Sequence, residues 1–104
     1  MLLINRVYDI IQLLGGVIVS KTDKFLVVKK FIDQMDYYAL LAGGAPSDEF
    51  DIESKKISEV IRCDHSAQEI ASIIASVFNE QFGEHDNANA FLSVAEQIKS
   101  EITK

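Results

Sequence analysis

Cys63-Asp64-His65 is the densest run of chemically capable side chains in this sequence, and His85-Asp86 is a second place where a histidine adjoins a carboxylate. These are the residue types of a zinc site or of a Cys–His nucleophile pair. Their spacing supports neither. Structural zinc ligands come as Cys-x2–4-Cys or His-x3–5-His pairs, whereas residues 63, 64 and 65 are contiguous and on a helix would point roughly 100° apart. The expectation is a helix-junction cysteine and two surface histidines, with no metal site. Gly43-Gly44-Ala45-Pro46-Ser47 leads into a helical pattern, as phosphate-binding loops do. It lacks the Walker lysine, and Asp48, Glu49, Asp51 and Glu53 follow at once, so it reads as a turn that would repel phosphate. Those four acids share only composition with a calcium loop, because the Asp-x-Asp-x-Asp-Gly order and the twelfth-position Glu are missing. Gly-x-Ser-x-Gly and His-Glu-x-x-His are absent as well. No catalytic residue and no cofactor is expected, and the chain reads as a non-enzyme.

The elements that must position these residues are helical. Leu3, Val7, Ile10, Ile11 and Leu14 mark a first helix over residues 2–14, stopped by Gly15-Gly16. Val17-Ile18-Val19 is β-branched and short, and has no second strand to pair with. A second and longest helix starts near Thr22 or Asp23 and carries Phe25, Val28, Ile32, Met35 and Ala39, with Phe31 and Tyr38 widening the stripe, until Gly43-Gly44 ends it. A third runs from Ser47 or Asp51 to Arg62 with Ile57, Val60 and Ile61 inward and acids at its electropositive start. Ser66-Ala67-Gln68-Glu69 spells a capping box. Ile70, Ile73, Ile74, Val77 and Phe78 follow it on one face, and Gly83 closes that fourth helix. Asp86 caps a fifth, whose stripe is Phe91, Val94, Ala95, Ile98 and Ile102. The fold expected is all-α, a compact bundle or array of four to five amphipathic helices forming one domain over residues 1–104.

Composition agrees with that frame. The chain has 104 residues, 48% of them hydrophobic, and a net charge of −6. A chain this apolar buries a core, and a chain this acidic lacks the basic footprint of a nucleic-acid binder. One cysteine closes no internal disulfide, which fits a reducing compartment. Asn5, Arg6 and Asp9 interrupt the apolar start, so it makes a poor signal peptide. A cytoplasmic chain without a membrane segment is the default expectation.

The charge is uneven. Residues 31–54 contain Asp33, Asp36, Asp48, Glu49, Asp51 and Glu53 with no Lys or Arg, and so hold −6 by themselves. Within the block stand Tyr37 and Tyr38, of which Tyr38 lies nearer the apolar stripe. Tyr37 shares a face with Asp33 and Leu41 and is expected to be exposed. An exposed Tyr amid carboxylates is the composition of a protein-binding hot spot, and the acids would steer a basic partner. The candidate partner-binding residues are therefore Asp33, Asp36, Tyr37, Asp48, Glu49, Asp51 and Glu53. A self-associating helical regulatory domain is the alternative.

In size, acidity, single cysteine and the stretches 33–38 and 48–53, the chain resembles the immunity proteins of contact-dependent growth inhibition, in particular those that neutralise an RNase A-like toxin. The resemblance implies a bacterial protein that binds the basic C-terminal nuclease domain of a secreted toxin. It would block that domain sterically and electrostatically, with no chemistry of its own and no contact with nucleic acid or membrane.

Overall fold

A computed structural model describes residues 21–104, with side-chain surroundings from residue 24 onward. The expected first helix, the Gly15-Gly16 stop and Val17-Ile18-Val19 lie outside the described residues. Four α-helices follow: α1 (Lys21–Met35), α2 (Asp51–Val60), α3 (Ala67–Phe82) and α4 (Leu92–Ile102), with 3-10 turns at Tyr37–Ala39 and Ala88–Phe91. No strand occurs among the described residues, and no described helix is long and apolar enough to cross a membrane. The all-α expectation holds.

Each helix has one apolar face and must cover it with neighbours. α1 packs on α2 and α4, and α3 packs on the same two, so the four close a ring around one core. Val28 and Ile32 of α1, Ile57 of α2, Ile70, Ile74 and Phe78 of α3 and Ile98 of α4 meet there with no exposed surface, joined by Phe50 and Ile61 at the two ends of α2. Most of these belong to the stripes read from sequence. Of the three residues of α2 and its end read as inward, Ile57 and Ile61 are buried and Val60 is exposed.

α3 starts and stops where local chemistry dictates. The Ser66 hydroxyl accepts from Glu69 N at 3.0 Å, and the Glu69 carboxylate accepts from Ser66 N at 2.7 Å. The bond from Ser66 N to the charged carboxylate holds Glu69 below its usual pKa. Gly83 closes the helix in the left-handed conformation, φ 66°, which a residue without Cβ adopts freely.

Other boundaries differ from the sequence expectation. α1 is already helical at Lys21, so neither Thr22 nor Asp23 precedes it as a cap, and it ends at Met35 rather than at Gly43-Gly44. The reason is Asp36. Its backbone turns left-handed at φ 52°, and its carboxylate folds forward to accept from Leu41 N at 2.7 Å and Ala42 N at 3.0 Å. A side chain thus takes the donors that a continuing helix would have bonded internally. α2 starts at Asp51 after Phe50, so Ser47 is not its cap. α4 starts after Phe91 without a side-chain cap, and the 3-10 turn ahead of it is capped not by Asp86 but by Asn87, whose Oδ1 accepts from Asn89 N at 2.8 Å.

Candidate functional site

The acidic block lies on the connection from α1 to α2, residues 36–50, and on the helix turns flanking it. Lys29, two residues before the block begins, ties its two ends together. The Lys29 ammonium contacts Asp33 at 3.0 Å, Asp51 at 2.6 Å and the Ser47 carbonyl at 2.9 Å. Hydrogen bonding to Asp51 first, then to Asp33, holds that ammonium above its usual pKa against the opposing effect of desolvation. Asp33 and Asp51 therefore have a structural partner that fixes the start of α2 against α1. Asp36 is used to cap the turn. Glu53 is buried, with Oε1 unpartnered and Oε2 3.4 Å from Gln81 Nε2. Asp48 is exposed and Glu49 half-exposed, and neither makes a side-chain bond among the described residues.

The two tyrosines exchange the places expected for them. Tyr37 is half-buried, 4.7 Å from Phe78, 5.0 Å from Phe82 and 6.1 Å from Phe91 between ring centroids. Its hydroxyl donates to Asp86. Burial first, and then the Asp86 carboxylate, push its phenol well above the ordinary tyrosine range. Asp86 is held in turn by Asn79: Asp86 N donates to Asn79 Oδ1 at 2.9 Å, and Asn79 Nδ2 donates to Asp86 O at 3.1 Å. Tyr38 is the exposed one, at 56%, leaning edge-on against Phe82 at 5.7 Å. The left-handed turn at Asp36 takes both out of register with α1, which helical phase alone does not reveal. Tyr38 and Ala39 are left-handed too, at φ 60° and 54°. For residues carrying a Cβ this costs roughly 1–2 kcal/mol each, sustained here by Tyr37 seated among Phe78, Phe82 and Phe91.

Charge elsewhere is asymmetric in direction. Lys24 donates to the Ile61 carbonyl, Lys56 to Gln81, Arg62 to Asp64, Lys99 to the carbonyls of Cys63 and His65, and Lys104 to Glu101. With Lys29 included, only Lys30 and Lys55 of the Lys and Arg from residue 24 onward make no hydrogen bond to the chain, and Lys30 lies over the Phe31 ring. Asp48, Glu49, Glu59, Glu80, Glu84 and Glu96 make no ion pair among the described residues.

Cys63 is exposed and free, and His65 Nδ1 accepts from Arg62 N at 3.0 Å. Among the described residues no three His, Cys, Asp or Glu side chains converge as metal ligands. No protein family, curated protein or solved structure matches this chain. The reading of its function therefore stands on the geometry. What sequence reasoning missed is the pair Tyr38 and Asp86, because helical phase continues through Tyr38 and nothing local marks the turn at Asp36.

Proposed function

We infer that this chain is a non-catalytic binding domain that takes a basic protein surface, and that its partner is a toxin domain it neutralises. The observation that carries the reading is the direction of the charges. From residue 24 onward, most Lys and Arg side chains are turned onto carbonyls and carboxylates of their own chain, while Asp48, Glu49, Glu59, Glu80, Glu84 and Glu96 make no ion pair there. Such a surface attracts a cationic partner and accelerates encounter in a salt-dependent way. A nuclease cleft lined with cations to hold phosphate is a surface of that kind, and carboxylates occupying it would exclude nucleic acid without any reaction. The resemblance to contact-dependent growth inhibition immunity proteins points the same way.

The test is growth rescue. The C-terminal domain of a secreted toxin encoded beside this chain should arrest cells when expressed alone, and co-expression of this chain should restore growth. The purified pair should associate more slowly as salt rises. Toxicity that persists under equal expression overturns the reading. Exposed Leu26, Ile52 and Val60 favour self-association as the second reading. It predicts a dimer mass in light scattering at micromolar concentration, lost in Ile52→Glu.

A further inference from the structure

We propose that the docking point for the basic partner is the aromatic shelf formed by Tyr38 on Phe82, flanked by Glu84 and Asp86, and that it takes an arginine side chain presented by that partner. The proposal rests on the reading of a basic protein partner and locates it away from most of the acidic block.

Three observations meet here. Tyr38 is more than half exposed, yet its ring is fixed by contact with Tyr37 at 4.5 Å and with Phe82 at 5.7 Å. An exposed aromatic held from below offers an open face at little further entropy cost, as binding hot spots do. A carboxylate adjoins this stack through Tyr37. Asp86 accepts the Tyr37 hydroxyl through Oδ2, leaving Oδ1 without a hydrogen bond among the described residues, and Glu84 follows Phe82 by two residues. Neither Glu84 nor Asp86 is paired with a described Lys or Arg. Lastly, Asp36, Tyr38 and Ala39 hold left-handed backbone on a long connection. Strain sustained by surrounding packing is characteristic of binding segments, and here it turns Tyr38 outward.

A planar guanidinium matches this arrangement better than an ammonium. It stacks on the ring while its N–H groups reach a neighbouring carboxylate, where lysine offers a compact, strongly hydrated point charge. The partner is thus an arginine-bearing basic protein surface, and Asp48 and Glu49 contribute attraction without selectivity.

The experiment titrates the 15N-labelled full chain with a nona-arginine peptide and, separately, a nona-lysine peptide. The amides of Tyr38, Phe82, Glu84 and Asp86 should shift with arginine, and the arginine peptide should bind more tightly. Tyr38→Asn keeps a residue that tolerates left-handed backbone and removes the ring. It should weaken the arginine peptide roughly fivefold and erase its advantage over lysine. Tyr38→Phe should retain both. Asp48→Lys with Glu49→Lys should weaken the two peptides equally. Equal affinity for both peptides, shifts confined to residues 48–53, no binding of either peptide, or a Tyr38→Asn affinity within twofold of the parent would each overturn the site. Growth rescue decides the wider reading separately, since a chain that neutralises a toxin while failing these titrations binds it by another surface.

Discussion

In α3, the groups that set each boundary lie within a few residues of it: Ser66 and Glu69 bond each other's backbone at the start, and Gly83 turns left-handed at the end. In the connection between α1 and α2, the bonds of the Asp36 carboxylate to Leu41 and Ala42 are joined by groups from far along the chain. Asp36 and Tyr38 leave helical backbone although helical phase continues through them, and the rings that hold Tyr37 belong to Phe78, Phe82 and Phe91. One region obeys propensity and capping rules. The other is shaped by tertiary packing that overrides them. The proposed partner surface grows out of the second.

The sharpest way to break this comparison is at Phe78, which belongs to both regions. It is fully buried on α3 and lies 4.7 Å from Tyr37 and 6.0 Å from Phe50. Phe78→Ala removes the floor under Tyr37 and opens a cavity, with an expected cost of about 4 kcal/mol. Chemical denaturation should show that loss. Amide exchange should show residues 36–41 losing protection well before the capping-box end of α3. Uniform loss across both would mean that the connection is held by its own local bonds.

That dependence explains what was legible in the sequence. The stripes of α3 and α4 and the capping box were readable because periodicity and capping depend on near neighbours. Val28 and Ile32 were readable for the same reason. Where α1 ends was not readable. Phe25, Val28, Ile32, Met35 and Ala39 keep helical phase throughout, and nothing local states that the Asp36 carboxylate will prefer the amides of Leu41 and Ala42. The candidate site inherited that error. A helix continued through Tyr37 and Tyr38 puts Tyr38 inside and Tyr37 outside, the reverse of what the turn produces. Acidic side chains were found by composition, but composition does not reveal that Lys29 lies between Asp33 and Asp51 or that Glu53 is buried.

A smaller and pH-dependent effect isolates the long-range bond. Tyr37→Phe keeps the ring stack and removes the hydrogen bond to Asp86, at an expected cost of about 2 kcal/mol for a bond to a charged acceptor. The folded chain binds the phenolic proton more tightly than the unfolded chain does, since the Tyr37 pKa is raised. The sign follows. This contribution is complete below the ordinary tyrosine value of about 10, and is lost as pH rises beyond it. Urea midpoints of parent and variant should therefore be far apart at neutral pH and converge in strong alkali. A constant gap across that range would show that the phenol titrates alike in both states.

The smallest effects carry opposite signs in the two regions, and that opposition is the finest test of the comparison. Ser66→Ala removes a side chain that local rules require, and should cost about 1 kcal/mol through the lost cap. Ala39→Gly removes one that local rules disfavour. At φ 54° the Ala39 methyl group strains the backbone, and its removal relieves roughly 1–2 kcal/mol, against about 0.4–1 kcal/mol from the freer unfolded chain. The net expectation is a gain of about 0.5–1 kcal/mol in denaturant unfolding, with the Tyr38 ring still on Phe82. Gain at residue 39 together with loss at residue 66 would mean that packing holds the connection against its own preferences. Loss at both would mean that residue 39 is not left-handed in solution, and that the outward turn of Tyr38 must have another cause.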